Sequence, residues 1–317
     1  MSYADSSPKS PRFGDAGMFW MAGRFKDQLL ADNEHEFLKS SKRKVSALHV
    51  VHYVAPSGKS GQMQALDRYF NGPVAVASMR SSWTDPKALF VGIKAGYNQV
   101  NHGHLDLGSI ELEALGEHWF YDLGGEDYAV KDYFDMESRR WTYYRAASAS
   151  HNVPLIDGKN QNIHAVSKFK RIALNTPEPW VTVDLSEAYQ EDCTSMERGI
   201  KMMDARRAVL VQDEYTLKEA RTLSWGVMTD ATITLNGREA ELTLKGKKLR
   251  LTILTPGAEF KEVSARQEAA QKSNDGYRRL YYEVKASPGR HTLAVLIRPE
   301  GVELASPEAI QKPLAQW

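Results

Sequence analysis

Two histidines two positions apart, His102 and His104, followed by Asp106, open the stretch NHGHLDLGSIELEALGEHWFYDLGGEDY, Asn101 to Tyr128. Asp122 lies near its end, and His151 follows in SASHNVPLIDG. In an extended segment alternate side chains share a face, so His102, His104 and Asp106 are expected to point the same way. Imidazole nitrogens and carboxylate oxygens ligate metals, and imidazole also exchanges protons near neutral pH. If chemistry resides in this chain, this stretch is the place to look for it.

His104, Asp122 and His151 form a three-ligand set suited to zinc, with a fourth position left for water or another group. Their wide separation is no obstacle in a β-sandwich, which brings distant strands together. The blander expectation is that these histidines are buried and simply hydrogen-bonded to backbone. A rival metal motif, that of the cupins, also opens with Gly96, His102 and His104 at this spacing, but Gly108 and Ser109 stand where it requires a glutamate. His102 is the better candidate for proton transfer. Tyr143 and Tyr144, in RRWTYYRAASASHN, lie among Arg139, Arg140 and Arg145. Nearby positive charge stabilises a phenolate, so either tyrosine is a candidate acid or base, against the alternative of an edge strand with amphipathic rings. Arg80, Arg139 and Arg145 are candidates for holding an acidic substrate by charge-assisted hydrogen bonds, or else part of a solvated face. Trp83, beside Arg80, either stacks on a sugar or caps the core.

The elements that must position these residues are mostly strands. From Val74 onward, short runs rich in β-branched and aromatic residues are bounded by Gly, Pro, Asn or Asp,. They are 74–79, 88–94, 109–115, 119–123, 180–185, 208–213, 232–235, 249–254, 281–284 and 291–297. Within 109–115, Ile110, Leu112 and Ala114 alternate with Glu111 and Glu113. Leu115-Gly116-Glu117 and Asn236-Gly237 read as hairpin turns. Many strands without intervening helices predict a mostly β chain folded as an antiparallel β-sandwich. Before it, apolar residues at helical spacing predict a helix from Met18 to Lys39, and a second short helix is expected over Gly61–Phe70. The Ser- and Pro-rich opening, 1–15, reads as loop, and the charged segment Glu259–Asp275 as a loop or short helix. The expected organisation is a helical segment, 1–71, followed by the sandwich, 72–317.

With 41 basic and 40 acidic side chains the 317-residue chain carries a formal net charge of +1, so bulk attraction to nucleic acid or an anionic membrane is not expected,. Cys193 is the only cysteine, which excludes an internal disulfide framework and a cysteine-rich zinc site,. The first 42 residues contain no signal-peptide pattern and no apolar run of about 18 residues, so membrane insertion is not expected either,.

The pieces VASMRSSW, LFVGIKAG, NHGHLDLGSIELEALGEHWFYDLGGEDY and YYRAASASHNVPLIDG, in this order, resemble the heparinase II/III-like polysaccharide lyases and related alginate lyases. The likeness is good over Val74–Gly158 and looser beyond. It implies that the helical start is the end of the α/α toroid that precedes the sandwich in that family. It further implies that His102 is the sandwich-borne active-site histidine and that His104, Asp122 and His151 hold one structural zinc ion. Such lyases cleave uronate-containing chains, glycosaminoglycan or alginate, by β-elimination, with tyrosine and histidine sharing the proton transfers. The resemblance also implies a periplasmic or secreted protein. In the family pattern the toroid supplies an Asn-His pair and a Tyr that complete the site. No long helical domain precedes Met1, so the expectation is a fragment, a shortened member or one part of a split protein, with the toroid as its partner. The alternative reading is a non-catalytic carbohydrate-binding or scaffolding sandwich that keeps a metal for stability.

Overall fold

Along Val74–Arg80 every second side chain, Ala75, Ala77 and Met79, is buried, and this period of two shapes much of the chain,. In the computed structural model the described residues are 3–6, 16–40, 45–58, 65–268, 270–304 and 311–317. Those of Met1–Pro8 and Leu66–Trp317 form one compact unit, and those of Lys9–Ala65 a second.

The first unit is mostly antiparallel β. Its strands are β1 Arg68–Phe70, β2 Val74–Arg80, β3 Phe90–Tyr97, β4 Ile110–Ala114, β5 Glu117–Phe120 and β6 Leu155–Ile156. They continue as β7 Val166–Ala173, β8 Trp180–Asp184, β9 Cys193–Met203, β10 Ala208–Leu217, β11 Arg221–Thr229 and β12 Thr232–Asn236. The last are β13 Glu239–Leu244, β14 Lys247–Ile253, β15 Lys261–Ser264, β16 Arg278–Ala286 and β17 Gly289–Pro299. A large sheet runs β1-β2-β3-β7-β8-β9-β10-β17-β14-β13-β12, with β4 and β5 branching from β3. The second sheet runs β15-β16-β11-β6. Val183, Val211 and Ile297 of the first sheet share one buried core with Trp225, Leu280 and Tyr282 of the second, which makes the fold a sandwich,. Both expected hairpins form: Leu115 and Gly116 turn β4 into β5 at φ 57° and 78°, and Gly237, at φ 58°, turns β12 into β13,.

Some expectations need correction. The expected strand 208–213 runs on to Leu217, because Asp213 is buried within β10 rather than ending it. Glu111 is buried too, so β4 does not alternate cleanly between core and solvent. Lys261–Ser264, inside the stretch expected as loop or helix, pairs with β16 as a strand. Arg68–Phe70, expected as helical, pairs with β2 instead, while residues 61–64 of that expected helix lie outside the described residues. Of the opening loop only Tyr3–Ser6 is described within 1–15, as a turn.

In the second unit the helix expected over Met18–Lys39 is two, α1 Gly17–Phe25 and α2 Gln28–Ser40. Lys26 takes a left-handed conformation at φ 57° and closes α1, and the Asp27 carboxylate accepts from the Leu29 N–H at the start of α2,. A short α3, Ala47–Val51, follows. Phe19, Ala22 and Ala31 form a small core, while Trp20, Phe25, Leu48, Val50 and Val51 remain exposed.

Candidate metal centre and adjoining histidine

The segment between β3 and β4 is not extended. His102 sits at φ 60°, and a Cβ on Gly103 would lie 2.4 Å from the Asn98 carbonyl oxygen and 2.8 Å from that of Val100. Only glycine fits there, and the kink it permits defeats the expected alternation of faces. The His102 side chain is 43% exposed, whereas His104 is fully buried. Asp106 turns away to a buried ion pair with Lys94 of β3, so it anchors the loop rather than joining the two imidazoles.

Three successive 3₁₀ turns, Arg139–Thr142, Tyr144–Ala146 and Ser148–Ser150, carry the chain to His151. They dock on the histidine loop through Leu105 N–H to the Ala146 carbonyl at 3.0 Å and the Ser148 hydroxyl to the Leu105 carbonyl at 2.8 Å. Asn152 is the staple that fixes His151 relative to Asp122. Its amide nitrogen donates to the carbonyls of Ile110 and Tyr121, at 2.6 and 3.1 Å, and its amide oxygen accepts from Met228 N–H at 2.6 Å. Two buried arginines hold the same loop from the sheets. Arg198 of β9, paired with Asp213, donates to the carbonyls of Gly108 and Asn152. Arg279 of β16 donates to the carbonyls of Ala149, His151 and Val153. Arg279 crosses Gly226 of β11, where a Cβ would stand 2.8 Å from its Nε.

These restraints bring His104, Asp122 and His151 together, each fully buried, with one potential ligand atom apiece all within 4.8 Å of one another. His104 Nδ1, Asp122 Oδ2 and both ring nitrogens of His151 are buried without a hydrogen-bond partner, although His151 Nδ1 approaches Asp122 Oδ2 to 3.4 Å. Orphaned buried polar atoms are costly, and several converging ones fit a cation. Burial holds the His104 imidazole below its ordinary pKa. Burial works against ionised Asp122, but His151, His104 and the Gly124 N–H together keep the carboxyl below its usual range. A neutral His104 beside an ionised Asp122 is the protonation state in which these two groups ligate a metal,.

One further group completes the neighbourhood. The Asp5 carboxylate accepts from His102 Nδ1 at 2.8 Å and Tyr128 hydroxyl at 2.9 Å on Oδ2, and from His104 Nε2 at 3.0 Å, Tyr133 hydroxyl at 2.6 Å and Arg140 at 3.1 Å on Oδ1. Burial opposes its charge, yet the hydrogen bonds from His104, Tyr133 and His102 hold it well below the usual carboxylate range. Burial and Asp5 together push the Tyr128 and Tyr133 hydroxyls up, so both are proton donors, not phenolates, at neutral pH,. Tyr128 also comes within 3.0 Å of His102 Nδ1.

Of the tyrosines singled out from sequence, Tyr143 lies against Tyr133, their ring centroids 6.0 Å apart. Tyr143 is buried and its hydroxyl donates to the Lys131 carbonyl. Burial raises the pKa of Tyr144 despite Arg279 nearby, the reverse of the expected easing by cations. Arg145 is committed to Asn274 at 2.7 Å and to the carbonyls of Leu123 and Gly125. Arg80 stacks on Trp83, its guanidinium 3.8 Å from the ring centroid, and Arg139 lies 5.5 Å over the Tyr143 ring. The arginine that reaches the site is Arg140, fully buried, which also holds the Gly103 and Tyr133 carbonyls. Its only sequence signal was its place in the RRWTYYR run.

Fold and site define a class: a two-sheet β protein with a buried His-Asp-His cluster beside an accessible imidazole. The family description heparinase II/III-like, C-terminal, matches residues 80–287, and the chain belongs to that family. Comparison with curated proteins finds no match. Among solved structures, heparan sulfate lyase HepC from Pedobacter heparinus aligns over 96% of this chain at TM-score 0.69 and 16% identity. A heparinase III gene product aligns over 94% at TM-score 0.66 and 17% identity, and a further heparinase III over 94% at 0.62 and 14%. This chain spans only 45%, 44% and 44% of those three. Among the described residues no helix is long and apolar enough to cross a membrane.

Proposed function

We propose that this chain is the β-sandwich portion of a polysaccharide lyase that cleaves uronate-containing polymers by β-elimination, exported to the periplasm or beyond. The observation that carries this reading is an accessible His102 lying next to the buried His104–Asp122–His151 cluster in a member of the heparinase II/III-like family. His104, Asp122 and His151 would hold one zinc ion, which would add to the links that Asn152, Arg198 and Arg279 already make between these loops. The names of the solved relatives make a sulfated glycosaminoglycan the first substrate to try, and the sequence resemblance to alginate lyases makes alginate the second.

In the elimination, a base takes the proton from C5 of the uronate. The electron pair left behind forms the C4–C5 double bond, the C4–O bond breaks, and the departing oxygen takes up a proton. His102, whose imidazole is half-exposed, is suited to one of these transfers, and Tyr128, protonated and beside it, to the other,. Charge building on the uronate carboxylate must be stabilised, and we assign that task to the toroid domain that the family resemblance implies.

The test is a screen of acidic polysaccharides with the complete gene product, following the ultraviolet absorbance of an unsaturated uronate. Turnover that falls by about 10²–10⁴-fold in His102→Ala supports the assignment. An unchanged rate in that variant would remove His102 from the chemistry. Metal-dependent stability with no turnover on any uronate polymer would instead favour the non-catalytic sandwich.

A further inference from the structure

Asp5 is the unexpected member of the site. Its carboxylate touches both the accessible His102 and the buried His104, one oxygen to each. The site is shaped around it: a Cβ on Gly125 would lie 2.7 Å from Asp5 Oδ1 and 3.1 Å from its Cα. Tyr3, two residues earlier, is buried and anchors the same short segment. Arg140, itself fully buried, supplies the balancing positive charge at 3.1 Å,.

An ionised carboxylate only accepts, so each imidazole nitrogen facing it must carry the hydrogen. For His104 this places the proton on Nε2 and leaves the lone pair on Nδ1, the buried nitrogen that has no hydrogen-bond partner and belongs to the cluster with Asp122 and His151. For His102 it places the proton on Nδ1 and leaves the lone pair on Nε2. One carboxylate thereby sets the tautomer of a metal ligand and of the proton-handling histidine at once.

We infer that Asp5 is a positioning residue that holds His104 in the metal-binding tautomer and His102 in the proton-accepting one, coupling the metal centre to the catalytic imidazole. The metal half of this inference rests on the ligand set proposed above, whereas the His102 half does not. Partners that orient a ligating histidine through its second nitrogen commonly contribute about 10–100-fold to metal affinity.

The experiment uses the full chain. Zinc affinity is measured by competition with a chromophoric chelator, and the tautomers of His102 and His104 are read by nitrogen-15 NMR on metal-free protein. Asp5→Ala is expected to weaken zinc binding by about 10–100-fold and to shift His102 away from the tautomer protonated on Nδ1. Asp5→Asn, with a single acceptor oxygen, should satisfy one imidazole and fall between. Gly125→Ala leaves the charge in place but displaces Asp5 from its seat, so it should shift both readouts in the same direction as Asp5→Ala. Unchanged affinity and unchanged tautomers in Asp5→Ala overturn the inference. So does unchanged zinc affinity with tighter binding of an acidic oligosaccharide, which would make Asp5 an internal occupant of a substrate seat. Absence of zinc uptake by the wild-type chain would sink the metal reading, and the His102 spectrum would still decide whether Asp5 orients it.

Discussion

His102 and His104 are separated by a single glycine, and that glycine gives them different surroundings. Gly103 allows the backbone to kink so that one imidazole faces solvent and the other the buried cluster. The types and order of these residues were legible in the sequence because metal ligation and proton transfer draw on few side chains. Asp106 was misleading, since a carboxylate at the right spacing was already taken by Lys94, itself buried on β3. Asp5 and Tyr133 carried no usable signal, and Arg140 only its place in the RRWTYYR run, because what recruits them is proximity across long stretches of chain. At this scale the metal reading makes a direct prediction. Wild-type protein purified without chelator should contain one zinc ion per chain by elemental analysis, and His151→Ala should lose it. A stoichiometric metal retained in His151→Ala would remove that residue from the ligand set.

At the scale of elements, strands with an apolar face were readable by alternation, and β2 and β4 fell where they were expected. β7, β9 and β13 were not, for an identifiable reason. Lys168, Lys170 and Arg171 interrupt β7, Glu197 and Arg198 interrupt β9, and Glu239 and Glu241 interrupt β13, so the apolar count stays low although the strands pair normally. In β9 the interrupting Arg198 is fully buried, where it serves the site loops rather than solvent. The 3₁₀ turns before His151 were also illegible, since they are closed by side chains rather than by a repeating pattern. Asp135 closes the first of them, accepting from the Ser138 hydroxyl at 2.6 Å and from the N–H groups of Glu137, Ser138 and Arg139. These bonds, the Ser138 hydroxyl foremost, lower its pKa from the ordinary 3.8 to about 2. A depressed carboxyl stabilises the fold fully above its ordinary value and loses that contribution as pH falls through the folded one. The Asp135 carboxyl should therefore titrate by NMR with a midpoint near 2, and the amides of Glu137–Arg139 should lose exchange protection over the same fall. A midpoint at its ordinary value would show that the turn does not depend on this cap.

Across the whole molecule, the sandwich was legible from strand density and from the lack of helices after Val74. The way its loops converge was not, because Asn152, Arg198 and Arg279 act through backbone carbonyls that any sequence offers. If an ion joins loops that these residues already hold, removing it should weaken the sandwich without dismantling it. Exhaustive chelation is expected to lower unfolding free energy by about 2.7 kcal/mol relative to protein with free zinc at roughly 100 times its Kd. Differential scanning calorimetry would register this as a fall of several degrees in Tm, and identical Tm values with and without chelator would argue against a bound ion. The helical unit carries its own expectation. Trp20, Phe25, Leu48, Val50 and Val51 are exposed on α1–α3, and the proposed toroid predicts that further helices cover them in the complete gene product,.

The partners of Asp5 stand between 97 and 135 positions away along the chain. Contacts that close such large loops come slowly, because chain entropy is lost before they can offset it. On refolding, the hairpins β4–β5 and β12–β13 should therefore appear early and the seat of Asp5 late. If the proposed site takes up zinc, that uptake followed by stopped flow would lag behind the far-ultraviolet signal of the sheets.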